Sequence, residues 1–234
     1  MTRGILIAGN GSALSSAVAA EAGKRVEHFA TAFIPNRLQP ATGDTRMITQ
    51  PAGNAQISLN WNPGSPVSAR TLLLATENRL ERIDDAILIC APPSVYKSPS
   101  ELAAADVEIL VNDHIKGWFF LVKELVSVFK AKKAGNLAFV LSEFDAKHGL
   151  LFDTKENRPD FVGLTIAASF RAFSQAMLDS AIGESFQIIG FSGPETCDEA
   201  AFAAFIFKSI EEGNKRNTGK LLRFGKRGLS LFSR

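Results

Sequence analysis

Gly9-Asn10-Gly11-Ser12 closes a short apolar run at residues 4–8 and opens onto a small-residue, helix-forming stretch at 13–22 that contains Ser15. A phosphate group needs close backbone approach, exposed N–H groups and the positive end of a helix dipole; strand, glycine turn and helix supply all three. The same residues also suit a plain connection in which Ser12 or Ser15 caps the helix. The chain's one tyrosine, Tyr96, stands beside Lys97, a phenol next to a cation. Lys147-His148 and His114 are further side chains able to move a proton. Cys90 and Cys197 form no metal-ligand spacing and are expected as reduced thiols. No metal site is expected.

These groups require a scaffold, and its elements can be read along the chain. Residues 86–90 (Ala-Ile-Leu-Ile-Cys), 137–141 and 186–191 are continuous apolar runs of the kind found in parallel strands covered on both faces. Further strands are expected at 24–33, around 46–49, at 55–61 and at 220–224. Helices are expected at 68–82, at 100–105, and at 200–212. Val111, Ile115, Trp118, Phe119, Val122, Leu125 and Phe129 recur at helical spacing, and residues 163–181 make a second long apolar helix. Strands alternating with helices predict a doubly wound, Rossmann-like parallel α/β sheet, a single domain over 1–234.

Bulk properties narrow the function classes. Hydrophobic residues at 46% with charged residues at 21% exclude a disordered chain. No apolar run approaches the roughly 18 residues that span a bilayer, and no secretory leader is read at the N-terminus, so a cytoplasmic protein without a membrane partner is expected. Net charge is +2, yet residues 208–234 carry eight basic residues against Glu211 and Glu212, a local +6. No aromatic–basic interleaving accompanies them, so nucleic acid is not expected; an acidic partner or anionic surface is the remaining use.

In order and spacing the chain resembles the short-chain dehydrogenase/reductase superfamily over nearly its whole length. Gly135-Asn136-Leu137-Ala138-Phe139-Val140-Leu141-Ser142 resembles the family's fifth strand, which puts Ser142 on the catalytic serine. His114-Ile115-Lys116-Gly117-Trp118-Phe119 resembles the Asn-Leu-x-Gly-x-Phe segment, with His114 at the proton-relay asparagine. Ser169 to Leu178 resembles the helix after the active-site lysine, and Thr218-Gly219 the pair before the last strand. Ala91 is what remains of Asn-Asn-Ala-Gly. The glycine turn lacks glycine at Ala13 and Ser15 and is closer to the enoyl-reductase style, Gly9 followed by Ser15 and Ala17.

The resemblance implies an NAD or NADP site built on Gly9, Asn10, Gly11, Ser12, Ser15 and Ala91, with a serine hydroxyl donating to phosphate. It also implies a catalytic tyrosine and lysine, and these are missing. With Phe173 in register the lysine falls on Ala167 and the tyrosine on Gly163, or on Asp160 in the enoyl-reductase branch. Two readings follow. In the first, the chain has lost oxidoreductase chemistry and serves as a binding or assembly module. It would then be a homodimer through helices 111–130 and 163–181, where Trp118, Phe119, Phe120, Phe170 and Phe173 offer surplus apolar surface. In the second, it is an NAD(P)H-dependent oxidoreductase with relocated groups, Ser142 and Tyr96 among them.

Overall fold

A computed structural model describes residues 3–35, 37–38, 56–93, 95, 97–143, 160–213 and 215–225. Among these residues the strands form one seven-stranded sheet in the order β3-β2-β1-β4-β5-β6-β7, every neighbouring pair parallel. They are β1 (Ile5–Asn10), β2 (Phe29–Ile34), β3 (Gln56–Ser58), β4 (Asp85–Cys90), β5 (Asn136–Glu143), β6 (Gln187–Pro194) and β7 (Leu221–Arg223). The helices are α1 (Ala13–Gly23), α2 (Pro66–Leu80), α3 (Ala104–Val111), α4 (Gly117–Lys132), α5 (Phe161–Asp179) and α6 (Glu199–Glu211). The order reverses direction between β1 and β4, which opens a crevice at their carboxyl ends.

The sheet is apolar on both sides because both sides are covered. Leu6, Leu88, Leu137 and Phe139 pack with Trp118, Leu125 and Phe170 on the face of α2, α4 and α5. Ile7, Ile89, Val140 and Phe191 pack with Val18, Phe202 and Phe207 on the face of α1 and α6. Alternate residues of one strand thus enter two cores, which is why β4, β5 and β6 read as unbroken apolar runs. Capping side chains set the helix starts. Ser12 accepts from Ser15 N, Ser65 from Ser68 N just before Pro66, and Asp198 from Ala200 N and Ala201 N.

Several expectations are shifted. The second strand begins at Phe29 rather than at residue 24, because Lys24 and Arg25 fold back onto Glu21 at the end of α1. In place of a helix at 100–105 there is one 3-10 turn, Pro99–Glu101, and α3 starts only at Ala104. The helix expected from residue 111 starts seven residues earlier, as α3, and is interrupted by a π turn, Asn112–Lys116, before α4. The strand expected near 46–49 lies outside the described residues.

Helix α5 is long and apolar enough to cross a membrane by length and composition, although Thr165, Ser169, Arg171 and Ser174 interrupt its apolar run. Its Ile166, Phe170 and Leu178 are nevertheless fully packed into the sheet core. Of the five side chains expected to be surplus apolar surface, Trp118 and Phe170 are core residues at 1% exposure. Phe119 is exposed, and Phe120 and Phe173 are half-buried.

At the amino-terminal end of the central strand, the buried Asp85 carboxylate opens β4. It is held by the Arg3 guanidinium and by Asn136 Nδ2 at 2.7 Å. Burial pushes its carboxyl upward, against the pull of Arg3 and then Asn136.

Candidate functional site

A cleft of about 270 Å³ lies where the carboxyl ends of β1, β4, β5 and β6 meet. Asn10, Gly11, Ser12, Ala91 and Ser142 line it, as the sequence led one to expect. The other two residues of the expected nucleotide turn do not. Gly9 lies one residue back in β1, where an added Cβ would fall 2.2 Å from the Ile89 carbonyl oxygen of β4. Its missing side chain serves strand contact. Ser15 is fully buried, and its hydroxyl donates to Asn10 O at 2.7 Å. It is turned inward, so it works as part of the helix start rather than as a donor to an outside group.

Asn10 is likewise engaged. Its amide donates to Ala91 O and its Oδ1 accepts from Ala91 N at 3.0 Å, a two-way clasp that ties β1 to the end of β4. Ser12 accepts from Ser15 N at 3.0 Å. The turn is therefore rigid, and its polar side chains are bonded to the protein's own groups.

Of the other groups expected near the chemistry, three (Tyr96, Lys147 and His148) lie outside the described residues, and the described ones are engaged or apolar. Lys97 is ion-paired to Asp106 at 2.7 Å. Asp160 is buried at 2% exposure and caps α5, accepting from Gly163 N at 2.8 Å and from Val95 N at 2.7 Å. At Gly163 a Cβ would meet Asp160 Oδ2 at 2.7 Å and Pro93 O at 3.2 Å, so the first atom of any larger side chain collides there. Ala167 is buried at 6% exposure.

In the sequence His114 is a side chain able to move a proton, at the position that the resemblance gives to the relay asparagine. The structure puts it in the cleft wall, 5% exposed, on the π turn. Next to it Asp113 is gripped by Arg37, with Arg37 Nε to Asp113 Oδ2 at 3.0 Å. Burial pulls the His114 imidazole down from its ordinary 6.5 to about 4; Asp113 opposes the drop and Arg37 adds to it. The ring is therefore neutral at physiological pH, with one donor and one acceptor.

This has a consequence for stability. Between about pH 6.5 and pH 4 the unfolded chain takes up a proton that the folded chain refuses, so stability is present above this window and lost as pH falls through it. At 1.36 kcal/mol per pH unit the share is on the order of 3 kcal/mol. In urea unfolding, His114→Asn is expected to lose about that much less stability than the parent between about pH 7 and pH 4. Asp85, with its carboxyl raised, works in the other direction and cancels because both proteins carry it. Equal acid losses in the two proteins would refute the assignment.

Glu195, Cys197 and Glu199 also line the cleft. Cys197 is expected from the sequence only as a reduced thiol and the two glutamates are not among the expected site residues, although their place just beyond the β6 apolar run was a signal, since ligands in such sheets lie beyond the carboxyl ends of the strands. Burial, and then the Glu199 charge, push the Cys197 thiol up, so it is not an activated nucleophile. Among the described residues no three His, Cys, Asp or Glu side chains converge as a metal site.

Among the described residues that line the cleft, Glu195 and Glu199 are acidic and no lysine or arginine appears. Glu195 is exposed and Glu199 half-buried, so water screens both charges. Ala13, where the family's usual turn has glycine, also lines the cleft.

This fold is that of the short-chain dehydrogenase/reductases. The chain superposes on a short-chain dehydrogenase from Mycobacterium smegmatis with a TM-score of 0.70 at 13% identity, covering 97% of this chain and 93% of that one. Levodione reductase gives 0.69 at 13% identity, covering 95% of each chain. ElxO with NADP bound gives 0.71 at 13% identity, covering 95% of this chain and 97% of that one. No protein-family model and no curated protein sequence matches the chain.

Proposed function

We propose that this chain uses a short-chain dehydrogenase fold as a ligand-binding and assembly module and does not carry out hydride transfer. One observation carries the reading: glycine and alanine occupy positions 163 and 167 of α5, where the resemblance calls for the phenol and the ammonium. A general acid must lie within hydrogen-bond reach with a tuned pKa. Gly163 has no side chain, Ala167 has no ionisable group, and Asp160 already accepts two backbone amides. Titration of NADH and of NADPH, followed by fluorescence and calorimetry, is expected to give neither quenching nor heat into the millimolar range. Tight binding of either, with turnover of a carbonyl or enoyl compound, would end this reading. The second reading, a reductase with relocated groups, is favoured by Ser142 and His114 sharing the cleft wall. It requires that Ser142→Ala abolish such turnover.

Assembly is assigned to the outer faces of α4 and α5. Phe119 is 56% exposed and lies 4.6 Å, centroid to centroid, from Phe173. Alongside it Ala168, Ala172 and Ala176 form an exposed row of small side chains on α5 that lets another helix approach closely. A homodimer across these helices is expected by light scattering at micromolar concentration, and Phe119→Glu is expected to give monomers. A monomeric parent protein would rule the dimer out.

A further inference from the structure

His114 is the least explained group in the cleft. It is nine-tenths buried and lines the cavity, and its ring has no hydrogen-bond partner among the described residues. Buried polar groups are normally paired, by protein, water or ligand. An unpaired imidazole facing a cavity therefore marks a place that an outside polar group completes. Ser142 lines the same cavity.

The walls indicate which kind of group. Leu14, Ala91, Pro92, Pro194 and Phe202 give an apolar body to the cleft, while Glu195 and Glu199 supply its formal charge. Glu199 also lies in the first turn of α6, where an acid favours the helix, and that accounts for its charge without a ligand. Glu195 is outside the helix, ahead of the Asp198 cap, and stands exposed at the rim of the cleft. The cavity is smaller than the roughly 300–1,000 Å³ of drug-sized sites, so its occupant has about ten non-hydrogen atoms.

We infer that the cleft binds a small organic cation, an aryl- or alkylammonium compound. Its charged end faces Glu195 and Glu199, its polar end is hydrogen-bonded by His114 and Ser142, and its apolar body lies against Leu14, Pro92 and Phe202. This rests on the reading above, in which the cleft is not a dinucleotide site.

The test compares three compounds of one skeleton that differ in charge: 2-phenylethylamine, 2-phenylethanol and phenylacetate. Each is titrated into the full-length protein by calorimetry, with NADPH run in parallel. The amine is expected to bind one-to-one and at least about tenfold more tightly than the alcohol, a difference of about 1.4 kcal/mol. Phenylacetate is expected to give no measurable heat. In a Glu195→Gln, Glu199→Gln double variant the amine should fall to the level of the alcohol, while the alcohol itself binds as before and so reports an intact cleft. The inference is overturned if the amine gives no heat in the millimolar range, if the acid binds as well as the amine, or if the double variant leaves the amine unchanged. NADPH binding would instead overturn the proposed function; silence from both amine and NADPH overturns the cation inference alone.

Discussion

Gly9→Val is expected to yield no folded protein at 25 °C. In the native structure a Cβ at this position would lie 2.2 Å from the Ile89 carbonyl oxygen and 3.0 Å from its carbon. That neighbour is backbone, so no rotamer change relieves the contact. β1 pairs with β4 from Ile5 to Gly9, and β1 also pairs with β2. Moving β1 away from Ile89 would break ladder bonds at the centre of the sheet and loosen both cores. Overpacking commonly costs about 1–3 kcal/mol where side chains can shift. Here they cannot, and a loss of about 5 kcal/mol or more is expected, comparable to the whole stability of many domains. Gly23→Ala is the control: it ends α1, and its nearest neighbour, Phe29 Cε1, is at an ordinary 3.5 Å. The control should fold and be equal or slightly more stable, since alanine is the better helix former. A Gly9→Val protein with a normal cooperative unfolding transition would show that the β1–β4 contact has been misjudged.

Asp160→Ala is expected to lower stability by about 4 kcal/mol, to be read as a fall of about 12 °C in Tm for a chain of this size. The carboxylate is buried and accepts from two backbone N–H groups that have no water to turn to. Hydrogen bonds to a charged acceptor are worth about 1.5–3 kcal/mol each, and two are lost together. One bond starts α5; the other holds Val95, in the loop whose Pro92 and Pro93 line the cleft. Asp160→Asn keeps an acceptor oxygen and should cost roughly half as much. Thr165→Ala, an exposed residue whose hydroxyl bonds Phe161 O, should change stability by less than about 0.5 kcal/mol. Equal stability of the alanine and parent proteins would remove Asp160 from its role as anchor.

Much of the sheet was legible because burial on two faces writes itself into composition. Ala86-Ile87-Leu88-Ile89 could hardly be anything else. The start of β2 was not legible, because Lys24 and Arg25 pair with Glu21 in space and no local pattern separates them from the strand. The π turn was hidden for a similar reason: apolar spacing was counted from Val111 onward as one helix, and an inserted residue leaves the recurrence looking regular. In the cleft, the resemblance led to Ser142, Asn10, Gly11, Ser12 and Ala91. It could not separate a serine that donates to a phosphate from one that bonds its own turn, and Ser15 proved to be the latter. Whether His114 was satisfied or unpaired depended on distant neighbours, which no spacing encodes. The charge of Glu195 and Glu199 mattered only once β6 had carried them to the same rim as the glycine turn.

The π turn has an effect beyond its own five residues. One extra residue in a helical rod rotates everything after it by about 100°. Val107 and Val111, before the turn, point to solvent, while Trp118, Leu121 and Leu125, after it, point into the core. With Asn112–Lys116 between them, the two halves of the rod are out of phase, and His114 sits at the change of phase. Evolution could therefore retune the solvent-facing half without disturbing the half that seals the sheet.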